Sequence, residues 1–231
     1  MKTAVFSDIH GNVYALEAML CQLEGAGVGQ FIFCGDIMGY FPWQEETMEY
    51  FLQLPNLYAV LGNHDSYYIG TARDSKERMG YAERYGKSYQ KELGSRKKSY
   101  IEGLPLSIEL CQGGKRILVV HGSLGNPLEG RVYPDTEVEE PAYTQYDIVI
   151  SGHTHYQMCR KIKDTVLLNP GSLGQPRDDK GYSYCLMDVE KGEYIFRTVS
   201  VDSQKIIARL AENGERKELI KYMKRKMEVV M

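Results

Sequence analysis

All five histidines of this 231-residue chain fall within a set of five short clusters. The clusters are Asp8-Ile9-His10, Gly35-Asp36, Gly62-Asn63-His64-Asp65, His121-Gly122 and Gly152-His153-Thr154-His155. Pooled, they offer two carboxylates (Asp8 and Asp36), the amide of Asn63, and five imidazoles. Imidazole mixed with carboxylate suits zinc, manganese or iron, whereas calcium and magnesium favour oxygen alone. Eight such groups exceed one tetrahedral site and fit two ions sharing a carboxylate. Two ions about 3.5–4 Å apart can clamp the attacking and leaving oxygens of a phosphate ester. A single histidine at a strand end is ordinarily a hydrogen-bonded structural residue, and an aspartate after glycine is ordinarily a turn. The joint pattern, with no histidine left over, is what points to metal chemistry.

Each cluster directly follows an apolar run that reads as a strand. Thr3–Ser7, Phe31–Cys34 and Leu57–Leu61 alternate with helices, one capped by Asn12 and running to about Glu24, the other over Gln44–Leu52. Strand, helix, strand, helix, strand implies parallel pairing. The second half is richer in strands: Leu106–Leu110 and Arg116–Val120 around Gln112-Gly113-Gly114-Lys115, a hairpin signal, then Asp147–Ser151, Tyr156–Ile162, Val166–Leu168, Tyr182–Val189 and Tyr194–Val201. Residues 71–100 read as mainly helical. No linker is visible, so 1–231 reads as one domain ending in a basic helical segment at about 203–231. In open α/β sheets, sites lie at the carboxyl ends of strands, where these clusters could meet. Residues two apart on an extended chain share a side, which pairs Asp8 with His10 and His153 with His155.

In this order and spacing the clusters resemble the calcineurin-like metallophosphoesterase superfamily, over residues 3–175. The resemblance implies an α/β fold, a four-layer αββα sandwich of two mixed β-sheets flanked by helices. It implies a dinuclear-metal phosphoesterase. Asp8, His10 and His155 then bind one metal, Asn63, His121 and His153 bind the other, and Asp36 bridges both. His64 is left as the catalytic histidine, steadying the transition state and protonating the leaving oxygen. The nucleophile is a metal-bridging hydroxide attacking phosphorus in line. Asp65 is expected to orient His64. The cofactors are two divalent transition-metal ions, manganese first, with iron, nickel or zinc as alternatives.

Departures narrow the reading. Purple acid phosphatases place a tyrosine ligand three residues after the bridging aspartate, where this chain has Gly39. The Ser/Thr protein phosphatases carry Asp-Arg-Gly after that aspartate and Glu after Gly-Asn-His, where this chain has Ile37-Met38-Gly39 and Asp65. With Asn169-Pro170-Gly171-Ser172, the pattern is similar to the small prokaryotic phosphodiesterases of the superfamily. The expected substrate is a phosphodiester or nucleotide. The rivals are a phosphomonoesterase or protein phosphatase, a diadenosine-polyphosphate hydrolase and, more remotely, a non-catalytic scaffold like the retromer subunit, which lacks the catalytic histidine. Arg177, Asn126 and Arg131 are the candidates for binding substrate. Tyr81, Tyr85 and Tyr89, spaced by four, form either a stacking platform for a base or a helix face packed on the sheet edge or a second subunit.

Composition agrees and sets limits. Hydrophobic residues at 43% and charged residues at 26% describe an ordinary globular chain, neither disordered nor fibrous. A net charge of −3 argues against a basic nucleic-acid surface. It does not argue against a small anionic phosphate ester, because two divalent ions would supply the positive charge. Asp8 arrives too early for a signal peptide and no apolar run approaches ~18 residues, so no membrane partner is expected. Five cysteines without a close pair suggest free thiols and a cytoplasmic location. A homo-oligomer is left open.

Overall fold

The computed structural model describes residues 1–71, 80, 81, 83–85, 92–215 and 217–230. The first β-sheet is built from β1 (Lys2–Phe6), β2 (Val28–Phe33), β3 (Leu57–Ala59), β9 (Ser183–Asp188) and β10 (Glu193–Thr198), ordered β10-β9-β1-β2-β3. The second comprises β4 (Ser107–Gln112), β5 (Lys115–Val120), β6 (Ile148–Ile150), β7 (Gln157–Ile162) and β8 (Thr165–Pro170), ordered β4-β5-β6-β8-β7. Both sheets are mixed. β1, β2 and β3 run parallel in one, β5, β6 and β8 in the other; antiparallel pairing adds β9 and β10 on one side of the first sheet and β4 and β7 at the two edges of the second.

The two sheets pack face to face through β-branched and small side chains. Val5, Ile32, Val60 and Cys185 of the first meet Ile117, Val119, Ile150 and Leu168 of the second. Strands buried on both faces read as continuous apolar runs, as the sequence of β1, β2, β5 and β6 does. On the outer face of the first sheet, Phe6 and Phe33 pack with Phe51, ring centroids 6.3 and 4.8 Å from it. That contact seats α1 (Val13–Leu23), α2 (Gln44–Phe51) and α4 (Ser95–Glu102). Asn12 caps α1 as its sequence predicts, its Oδ1 accepting from Ala15 N at 3.3 Å. The outer face of the second sheet carries less helix: α5 (Glu140–Tyr143) and the irregular chain before it cover Val120, Val149 and Leu167. In the β4–β5 hairpin Gly113 and Gly114 both have positive φ, 57° and 73°, the two-residue turn that matches strand twist.

Two readings from periodicity are modified. The third strand, read as Leu57–Leu61, stops at Ala59, and Asn63 and His64 begin a helix, α3 (Asn63–Thr71). The C-terminal segment forms α6 (Ser203–Glu212) and α7 (Lys217–Val230). Its basic character is only one side of it: Leu210, Leu219 and Met223 bury against Val13, Phe41 and Trp43. Lys217 and Lys221 remain exposed on the polar side. Among the described residues no helix is long and apolar enough to cross a membrane, and all five cysteines are free.

Candidate metal centre

The parallel strands bring all five clusters to one edge. β1 leads into Asp8 and His10, β2 into Asp36, β3 into Asn63 and His64, β5 into His121, and β6 into His153 and His155. The sheet-like pairing of β1 with β2 continues past the strands, with Asp8 N donating to Gly35 O at 3.0 Å and His10 N to Asp36 O at 3.1 Å. The inward aim of Asp8, His10, His153 and His155 does not come from extended-chain alternation, as their spacing suggests. All four lie in the left-handed region, with φ of 53°, 51°, 65° and 63°, and Asp36 joins them at 67°. They are five of the seven described non-glycine residues with positive φ. That conformation costs roughly 1–2 kcal/mol at each residue, and such strain gathers at functional sites. Two glycines make the close approach: a Cβ on Gly62 would meet Asp36 Oδ1 at 2.1 Å, and one on Gly152 would meet Ser7 Oγ at 2.1 Å and Asp8 Oδ2 at 2.9 Å.

All eight pooled residues are buried, none more than 5% exposed. They form two sets joined at Asp36. In one, Asp8 Oδ1 stands 3.2 Å from His155 Nε2 and 3.8 Å from His10 Nε2, and the two Nε2 atoms are 3.1 Å apart. In the other, Asn63 Oδ1, His121 Nε2 and His153 Nδ1 lie 2.9–3.1 Å from one another. Asp36 Oδ2 faces both sets, 3.8 Å from His10 Nε2 and 3.4 Å from His121 Nε2. Its other oxygen accepts from His64 N at 2.8 Å.

Carbonyl groups assign the tautomers. His10 Nδ1 lies 2.8 Å from Met38 O, His121 Nδ1 2.7 Å from Cys34 O, and His155 Nδ1 2.5 Å from Gln175 O. A carbonyl accepts only, so each Nδ1 carries a proton, and in its neutral form each ring turns its Nε2 lone pair into the centre. Two lone pairs 3.1 Å apart, as at His10 and His155, do not hydrogen-bond. Asp8 Oδ1 is buried without a hydrogen-bond partner. Converging lone pairs beside an orphaned carboxylate oxygen fit a divalent cation, and backbone carbonyls behind ligand imidazoles are the usual outer support of such a site. The ligand atoms of Asp8, His10 and His155, and of Asp36, His121 and His153, are close enough to hold an ion, as are those of His10, Asp36 and His64.

Electrostatics agree with this arrangement. Burial opposes ionisation of Asp8 and Asp36, but His155 beside the first and His121 beside the second hold both carboxyls well below the ordinary range. Burial pushes His10 well down, and His64 and His153 down to about 4, so these rings stay neutral at neutral pH. At His121 burial is overcome by Asp36 and then Asp8, which raise it to about 9.

Asp65 does not play the role its sequence position suggests. Its Oδ2 accepts from Asp36 N at 2.9 Å and Gly62 N at 3.1 Å, and its Oδ1 from Met38 N at 2.9 Å. It therefore holds the left-handed turn at Asp36 rather than the ring of His64. Burial and then the Asp36 charge push Asp65 up to about 7, against these backbone donors. Asp65→Asn would set an amide NH2 against backbone N–H groups. It is expected to cost about 1–3 kcal/mol of stability in denaturant unfolding of the metal-free protein at pH 8. Unchanged stability would remove this role.

The substrate candidates separate. Arg177 is exposed at the rim, bonded to the Tyr40 hydroxyl, and Tyr40 packs edge-on against His10 with ring centroids 4.8 Å apart. Arg131 lies within electrostatic reach of His153. Asn126 is a turn residue, its Oδ1 accepting from Glu129 N at 3.0 Å. Tyr81 and Tyr85 pack against the core on the outer face of the first sheet, as the helix-face reading expects. They stack with Tyr67, and Tyr85 meets the His64 ring at 4.6 Å, while Tyr89 lies outside the described residues. Residues not singled out by motif include Tyr40, Tyr67 and Ser172, whose Oγ donates to Asp8 O at 2.8 Å. Only Ser172 carried a signal, as part of the Asn169–Ser172 loop.

Residues 1–192 match the family model of the calcineurin-like phosphoesterase superfamily domain. An uncharacterised protein of Methanocaldococcus jannaschii, MJ0912, is 29% identical, covering 91% of this chain and 92% of its own. Phosphodiesterase YfcE of Escherichia coli K12 is 23% identical over 92% of this chain and 99% of its own. Among solved structures, a metallophosphoesterase from Sphaerobacter thermophilus superposes with a TM-score of 0.80 at 26% identity, covering 96% of this chain and 98% of that one.

Proposed function

This chain belongs to the calcineurin-like phosphoesterase superfamily and is a metal-dependent phosphoester hydrolase, and on that premise we propose that it hydrolyses small phosphodiester or nucleotide substrates at a dinuclear centre. The observation that carries the dinuclear reading is Asp36 Oδ2, one oxygen facing a histidine of each set. Asp8, His10 and His155 would hold one divalent ion, Asn63, His121 and His153 the other, and Asp36 would contact both. Such ions supply charge for the phosphate oxygens and lower the pKa of water, and manganese suits the nitrogen–oxygen donor set.

The protein's own groups do the rest. The Nδ1–H bonds to Met38, Cys34 and Gln175 carbonyls keep the imidazoles aimed before substrate arrives, which reduces reorganisation during reaction. Arg177, beside Tyr40, and Arg131, within electrostatic reach of His153, are suited to phosphate oxygens as bidentate donors. His64, neutral at physiological pH, is suited to donate an N–H hydrogen bond to the phosphoryl group or leaving oxygen. A proton-transfer role would need an imidazolium that its burial disfavours. The name of the YfcE relative supports a diester substrate.

Stripping metal with a chelator and restoring Mn²⁺ tests the reading, with bis-p-nitrophenyl phosphate and p-nitrophenyl phosphate compared under identical conditions. The stripped protein should be inactive. The restored protein should show the higher kcat/KM on the diester, and a strong monoester preference would overturn the diesterase assignment.

A further inference from the structure

Asn63 and His121 approach the centre from different elements, and one contact joins those elements. Asn63 is the first residue of α3 and Tyr67 lies four residues on, on the same helix face. The Tyr67 hydroxyl donates to Glu129 Oε1, and the Asn63 side chain lies within reach of the same hydroxyl. A phenol has one proton to give. With that proton on Glu129, the hydroxyl must accept from Asn63, and only the amide NH2 can donate. The Asn63 oxygen is then the atom left for the centre, and it stands 2.9 Å from His121 Nε2 and 3.1 Å from His153 Nδ1.

Glu129 belongs to the loop leaving His121. That loop is tied internally: Gly122 N donates to Pro127 O at 2.6 Å, Ser123 N and Gly130 N to Asn126 O at 3.0 Å, and Glu129 N to Asn126 Oδ1. A pull on Glu129 is thus transmitted to the turn beside His121. We propose that Tyr67 and Glu129 form a clasp that sets the amide orientation of Asn63 and fastens α3 to the His121 loop, building the second half of the metal centre. Tyr67 and Glu129 are positioning residues and touch neither ion nor substrate. The clasp rests on the dinuclear reading given above.

Calorimetric titration of metal-free protein with Mn²⁺, paired with metal analysis after dialysis, tests this without reference to turnover. Wild type should bind two ions. Tyr67→Phe keeps the ring packing and deletes only the hydroxyl. It should weaken one ion roughly 10–100-fold, the range for removing an outer partner of a ligand, and leave the other ion and the metal-free melting temperature unchanged. Glu129→Gln keeps an acceptor and should retain most of the affinity, and the double variant should be no worse than Tyr67→Phe. Two ions bound with wild-type affinities in Tyr67→Phe, or both weakened equally, overturns the clasp alone. A single ion in wild type overturns the dinuclear reading beneath it.

Discussion

Asp36→Asn is expected to lose both metal ions under conditions where the wild type holds two. The carboxylate oxygen Oδ2 faces His10 and His121 from the middle of the centre, while Oδ1 is occupied by His64 N. An amide offers one oxygen and a neutral NH2. Whichever way it turns, it either gives up the His64 N–H bond or points donors at the cations. The loss should exceed the roughly 10–100-fold typical of outer-partner changes, at both halves and not one. Metal analysis after dialysis against limiting Mn²⁺ reads this directly, and full two-ion occupancy would remove Asp36 from the bridging position. A second signature needs no metal. His121 is held up at about 9 against its burial by Asp36 first and Asp8 second. Removing the nearer charge should lower it towards its ordinary value, which imidazole NMR titration of the metal-free variant would report.

His64→Ala should behave in the opposite way, keeping both ions and losing turnover. The ring lies within ligand distance of His10 and Asp36, so retention of the ions separates a catalytic group from a ligand. Its backbone N–H, which bonds Asp36, survives the substitution. Loss of one preorganised donor to a developing oxyanion costs about 10²–10³ in kcat, and that is the expected drop on diester substrates. His64→Gln restores an N–H donor without a titratable nitrogen. Partial recovery in this variant supports donation by a neutral ring, and none supports proton transfer. A native rate in His64→Ala would sink either role.

The contrast between these variants reflects how the centre is built. Apart from the carboxylate of Asp65, ligands are held from behind by backbone carbonyls and a hydroxyl. Asp65 accepts three backbone N–H groups around Asp36 and Gly62, and Ser172 donates to the carbonyl of Asp8. The Cys34, Met38 and Gln175 carbonyls orient three rings. The carbonyls add no charge of their own, so the ligand carboxylates and converging lone pairs remain for cations.

The identities of the donors were legible in the primary structure because they are local. Each donor sits one to five residues beyond an apolar strand, and parallel strands carry their carboxyl ends to one edge. Together with the unscattered histidines, that sufficed to propose a two-metal centre, and the resemblance to the superfamily divided the donors into two sets and left His64 as the catalytic group. The two-sheet core was legible for the same reason, since strands buried on both faces must be apolar throughout. Four things were decided only by the tertiary structure. The left-handed turns at Asp8, His10, Asp36, His153 and His155 leave no trace in residue type, because aspartate and histidine adopt them only when their surroundings compel it. Ring tautomers depend on carbonyls 20 to 87 residues away. Asp65 reads as a companion of His64, its neighbour in the chain, yet its carboxylate turns to the backbone of the Asp36 loop. Tyr67 reads as one of 18 tyrosines, and it gains meaning only when Glu129 is folded against it. Donor chemistry belongs to the residue and survives in any conformation. Aim, protonation and support belong to contacts between segments distant in sequence, which exist only once the two sheets have closed on each other.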